Sequence, residues 1–127
     1  MTHEAFDDLI RASYNVEPQS TRKDNWYYEY PGTKKKFASL FLIPGTSTTS
    51  MSPVYDLFPP TDGMKLILNL RCNDPSRFSF LNDTTYCKGY RLQSWDWIAI
   101  CLDGDLKDEE IQKLLQRSYD LAAKAKR

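Results

Sequence analysis

The run Trp95-Asp96-Trp97-Ile98-Ala99-Ile100-Cys101-Leu102 narrows what this chain can fold into more than any other segment. It reads as a strand. Successive side chains of a strand point to opposite faces. Trp95 and Trp97 therefore share one side, while Asp96, Ile98 and Ile100 share the other. A small antiparallel sheet covered on one face needs only one apolar set. A second apolar face must be covered or meet a partner. Phe37 to Ile43 poses the same problem, being apolar on both sides.

The segment after that strand is helical. From Asp108 to Lys124, Ile111, Leu114, Leu115, Ser118, Leu121, Ala122 and Ala125 line up as one stripe, with acids in the first turn and bases at the end. An opening helix is expected from Thr2 to Tyr14, where Ala5, Phe6, Leu9 and Ile10 recur at helical spacing, with Asn15 and Pro18 ending it. A polar stretch, Gln19 to Asn25, leads to a strand at Trp26–Tyr30. Pro31-Gly32-Thr33 supplies a turn, and Phe37–Ile43 returns as a hairpin partner. Pro44 to Gly63 is a long Ser-, Thr- and Pro-rich loop, with an extended piece at Pro53–Phe58. Met64–Cys72 alternates as a strand, Asp74-Pro75-Ser76 begins a short helix through Leu81, and Tyr86–Leu92 precedes the strand at Trp95–Leu102. The expected architecture is one α+β domain over residues 1–127. It is a two-layer sandwich of order αβββαββα, with a five-stranded antiparallel sheet and the helices on one face.

Length and composition agree with this. At 127 residues the chain is long enough for one core. Its 41% hydrophobic and 27% charged residues are the balance of a globular protein. Lys plus Arg equals Asp plus Glu at 17 each, so nucleic acid could be held only by a local basic patch. No apolar run is long enough to span a bilayer, and no membrane role is expected. Met1–Ala5 places polar and acidic residues where a signal peptide is apolar, making the cytoplasm the expected location. Cys72, Cys87 and Cys101 are odd in number and widely spaced, which fits free thiols.

Several short motifs resemble those of the YjbR/MmcQ-like family. Leu70-Arg71-Cys72-Asn73-Asp74-Pro75 is similar to its Leu-Lys-x-x-Pro strand end, and Lys88-Gly89-Tyr90-Arg91-Leu92 to its Gly-Tyr-His-Met segment. Trp97-Ile98-Ala99-Ile100 resembles its Trp-x-x-Ile/Val strand, Leu102-Asp103-Gly104 its turn, and Ser118-Tyr119-Asp120-Leu121 its Ser-Tyr-x-Leu helix. The resemblance implies a secretion-chaperone-like α+β fold and, from a proposed pair of winged hairpins, DNA binding. Arg71 stands where the family has Lys, Arg91 where it has His, and Asp96 where a base precedes the Trp, so no role of that His carries over.

No catalytic constellation assembles from these residues, and no enzyme activity is expected. His3, the only histidine, reads as an exposed terminal residue rather than a base held by an orienting group. Asp103-Gly104-Asp105 reads as a turn instead of a Ca²⁺ loop, and Pro44-Gly45-Thr46 lacks the rest of a phosphate loop. Neither metal nor cofactor is expected. Cys87 between Tyr86 and Lys88 has no general base and reads as an inert thiol.

Two binding features stand out. Lys34, Lys35 and Lys36, with Arg22 and Lys23 nearby in sequence, form a basic hairpin. It either contacts the phosphates of duplex DNA or is a solvated turn protecting an edge. Trp95, Trp97, Tyr90, Arg91 and Arg71 outline the second sheet face. That face either meets a protein partner or second copy, or lies under the long loop. The expected function is a non-catalytic binding domain, with DNA as the first ligand and a protein-interaction or homodimer module as the alternative. Salt separates them: phosphate contacts weaken steeply as it rises, whereas apolar association does not.

Overall fold

The computed structural model describes residues 1–22, 24–44, 63–72, 86–88, 97–102 and 106–125. Within these, helix α1 (His3–Tyr14) precedes strands β1 (Gln19–Arg22), β2 (Asn25–Glu29), β3 (Lys36–Pro44), β4 (Met64–Arg71), β5 (Tyr86–Lys88) and β6 (Trp97–Cys101). Helix α2 (Asp108–Lys124) comes last. Of the expected loop 44–63, residues 45–62 with the piece Pro53–Phe58 lie outside the described residues, as do the helix from Asp74 to Leu81, the continuation of β5 to Leu92, Trp95 and Asp96, and the turn Asp103–Asp105; Pro44 ends β3.

The sheet is antiparallel throughout, in the order β1-β2-β3-β4-β6-β5. The five expected strands are joined by a sixth, β1. Its residues are Gln, Ser, Thr and Arg, so hydrophobic alternation does not reveal it. Backbone pairing with β2 holds it at the sheet edge, helped by the Ser20 hydroxyl donating to the Asn25 carbonyl at 3.0 Å. The link to β2 uses Asp24 in the left-handed region. It lacks the Asn-Gly or Asp-Gly pair that usually marks a tight hairpin.

Both described helices pack on one face, giving two layers. Across the sheet, Tyr28, Ala38, Leu70 and Ile98 form one inward row, and Trp26, Leu40, Leu68 and Ile100 the next. Phe6 and Ile10 of α1 and Ile111, Leu115 and Ala122 of α2 are buried against these rows. Each large side chain among them contributes about 1.5–3 kcal/mol of transfer free energy. Helix α1 is capped at both ends. The Thr2 hydroxyl accepts from the Ala5 N–H at 3.1 Å. Asn15, in the left-handed conformation, returns its N–H to the Arg11 carbonyl. Helix α2 lacks a side-chain cap, and Asp108, Glu109 and Glu110 oppose its dipole instead.

The sheet does carry apolar residues on both faces, but the second face is not bare. Ile67, Asn69 and Ala99 are wholly buried, and Ser39 and Cys101 nearly so, although the helices lie on the other side. Met64 is the one exposed large hydrophobic among the described residues. The centre of this face is therefore partly polar and removed from water, while Tyr27, Arg71 and Trp97 at its end stay half-exposed. Cys72 and Cys101 are buried. The expectation for His3 is corrected. Its ring lies 4.1 Å from that of Trp26 and is half-buried, because the opening of α1 crosses β2.

Candidate functional site

The β2–β3 hairpin is held rigid at its tip. Pro31 presets the first corner and Gly32, at positive φ, takes the second. The Thr33 N–H thereby reaches the Tyr30 carbonyl at 3.1 Å. The Thr33 hydroxyl donates to that same carbonyl at 2.8 Å and accepts from the Lys35 N–H at 3.1 Å. The Tyr30 N–H closes the ladder on the Lys35 carbonyl at 2.8 Å. Lys34 and Lys36 emerge exposed from this frame, with Lys35 half-buried.

Immediately after the tip, β3 breaks register. Tyr28 opposes Ala38 but Glu29 opposes Lys36, so Phe37 is an extra residue, a β-bulge. The bulge turns Phe37 inward, where it packs edge-on against Tyr119 at 5.0 Å and tilts against Tyr14 at 5.7 Å. Tyr14 and Tyr119 stack at 4.4 Å, and Tyr30 joins Tyr119 at 4.8 Å. Burial pushes the Tyr119 phenol up from its ordinary value, and the neighbouring Tyr30 adds to this.

A bulge interrupts the ladder, and buried backbone groups need other partners. Here two side chains supply them. Ser118, wholly buried on α2, accepts from the Arg71 N–H at 2.8 Å and donates a short hydrogen bond to the Phe37 carbonyl. The Arg71 guanidinium donates from Nε to the Lys36 carbonyl at 2.6 Å.

These bonds place the charges. Lys36 Nζ lies 4.5 Å above the Tyr27 ring, and the Arg71 guanidinium 4.8 Å from the Trp97 ring. Tyr27, Arg71 and Trp97 are half-exposed and lie on the face away from the helices. The result is a row from β2 to β6 in which two cations each rest on an aromatic ring, next to the exposed Lys34. Glu29 lies opposite Lys36 in register. Such a row can hold anionic oxygens. Among the described residues no His, Cys, Asp and Glu cluster could hold a metal ion.

The structure therefore regroups the sequence candidates. Lys36, at the end of the lysine run, meets Arg71 through its carbonyl, and Arg71 rests on Trp97; sequence reasoning assigned Arg71 and Trp97 to a different surface. Arg22 parts from the lysines: it pairs with Asn25 at the far end of β2, whereas Lys36 pairs with Glu29 at the near end. This corrects the single basic patch. Lys23, Tyr90, Arg91 and Trp95 lie outside the described residues. Tyr27 flanks the lysine tip in sequence, and Ser118 was missed as a site residue. The signals were present: Phe37 and Ala38 are consecutive apolar residues in a strand, and Ser118 is the polar member of an apolar stripe.

Three of the motifs that prompted a family resemblance contribute to this one end of the sheet, through Arg71, Trp97, and the pair Ser118 and Tyr119. The YjbR family model matches residues 17–121. The chain belongs to the YjbR family. No curated protein matches it. A crystal structure of a protein from Pseudomonas syringae is similar, with a TM-score of 0.80 and 20% identity, covering 96% of this chain and 99% of that one. A solution NMR structure, also from Pseudomonas syringae, has a TM-score of 0.76 at 20% identity, covering 96% of this chain and 93% of that one. At that identity the likeness shows the fold of the YjbR domain. No helix among the described residues is long and apolar enough to cross a membrane.

Proposed function

We propose that this YjbR domain is a non-catalytic cytoplasmic module that contacts the phosphates of duplex DNA through Lys34, Lys35, Lys36 and Arg71. The reading is carried by the bulge: it joins Lys36 to Arg71 by the 2.6 Å bond and backs both cations with rings, beside a rigid exposed tip. Preorganised cations lose less freedom on meeting phosphate than mobile surface lysines do. With zero net charge, the protein has no general attraction for DNA, so binding depends on this patch. The protein-partner or homodimer reading keeps the half-exposed Arg71 and Trp97 as its described contacts, while the centre of that face, at Ile67, Asn69 and Ala99, is buried.

The test is fluorescence anisotropy with a labelled duplex at low salt. Four phosphate contacts give a slope of log K against log salt of about −3.6, or roughly a 150-fold loss between 50 and 200 mM. Replacing Lys34, Lys35 and Lys36 together by Ala should abolish binding at the upper salt concentration. Equal binding by wild type and variant, or none by wild type at low salt, refutes the proposal.

A further inference from the structure

On the opposite layer, α1 and α2 leave a cleft of about 370 Å³ between them. Leu9, Leu115 and the Tyr14 ring form its apolar part, and Ser13, Glu109, Gln112 and Lys113 line the rest. One side is fixed: the Tyr14 hydroxyl donates to Gln116 Oε1 at 2.9 Å, and the Gln116 amide donates to Asp120 at 3.0 Å. Its size falls in the lower part of the ligand-pocket range, about 300–1,000 Å³. An apolar floor with a few convergent polar groups is the usual make-up of such sites. Lys113 is the cation of the lining and Glu109 its acid. The ion pairs shown among the described residues are those of Arg11, so Lys113 is not engaged by Glu109 one turn away.

We propose that this cleft binds a small amphipathic anion, its apolar body on Leu9 and Leu115 and its carboxylate between Lys113 and the Ser13 hydroxyl. The site is distinct from the lysine hairpin and does not depend on DNA binding. A flat aromatic acid fits the chemistry, because the Tyr14 ring offers a wall for stacking and Lys113 a charge-assisted hydrogen bond.

The probe is 2-naphthoate, titrated into ¹⁵N-labelled full-length protein, with the neutral 2-naphthamide as its comparison. Saturable amide shifts confined to Leu9, Ser13, Tyr14, Gln112, Lys113 and Gln116 are expected at millimolar probe. Lys113→Glu should weaken naphthoate about tenfold and leave the naphthamide unchanged, as loss of one charge-assisted contact requires. Ser13→Trp should fill the cleft and remove both. Both positions are exposed, so the variants keep the fold, and the retained spectrum verifies it. No saturable shifts, shifts centred elsewhere, or binding indifferent to Ser13→Trp overturns the proposal. Equal weakening of acid and amide by Lys113→Glu overturns the assignment of an anion.

Discussion

Ser118→Ala removes a single oxygen and should cost far more than its size. That oxygen replaces a direct ladder bond between β3 and β4, serving the Phe37 carbonyl and the Arg71 N–H at once. The site is wholly buried, so water cannot enter without rearrangement. Each buried backbone group left unsatisfied costs about 1–3 kcal/mol. Relaxation lets one of the two recover in part, and Ala is the better helix former by about 0.5 kcal/mol. The expected net loss is about 2–3 kcal/mol. For a domain of this size, each kcal/mol lowers Tm by roughly 4 °C, giving a drop of about 8–12 °C. Urea melts followed by circular dichroism would measure it, with an unchanged m value showing that the folded state is retained. Ser118→Cys, which keeps a weak donor and acceptor, should fall between wild type and Ala. A loss below about 0.5 kcal/mol for Ser118→Ala would refute the bridging role.

The Tyr28 hydroxyl donates to Asp7 at 2.9 Å. Burial, followed by that bond, pushes its phenol well above its ordinary range. The folded protein thus holds this proton more tightly than the unfolded chain. Its contribution is fully present below pH 10 and is lost as pH rises further. Tyr28→Phe should flatten the fall in stability above pH 10, as followed by urea melts across that range. Tyr14 and Tyr119 are raised in the same direction and leave a residual slope. Gly32→Ala places a side chain at positive φ but in open space. It should cost about 1 kcal/mol from conformation alone, read by thermal melting. Phe37→Ala empties the centre of the Tyr14–Tyr119 cluster. By the same melts it should cost about 3–5 kcal/mol.

The layer arrangement was legible in the sequence because α2 and β4 repeat with clean periods, while β2, β3 and β6 are short runs of strand-forming residues. The stripe Ile111–Leu115–Ser118–Ala122 is buried as its spacing demands. Strand β1 was not legible, since a polar edge strand is specified by backbone pairing and leaves no hydrophobic pattern. The second face was half legible: alternation shows that Ile67 and Ala99 point away from the helices, but cover depends on tertiary contacts that local pattern does not encode. Of the site, the lysine tip followed from Pro31-Gly32 and its charges. Its union with Arg71 and Trp97 did not, because a bulge shifts register by one residue and so changes which side chains share a row. Proximity in sequence misled in the other direction for Arg22, since a single extended strand carries neighbours away from one another.

An amide-shift map of the labelled protein titrated with a short DNA duplex is the most direct test of the cationic row. Shifts at Lys34, Lys35, Lys36, Tyr27, Arg71 and Trp97 that reverse on adding salt are expected, with Arg71→Gln reducing the affinity about tenfold. An unchanged spectrum at low salt, or shifts confined to the Arg22–Asn25 end of β2, would contradict the assignment of DNA contact to the bulged end of the sheet.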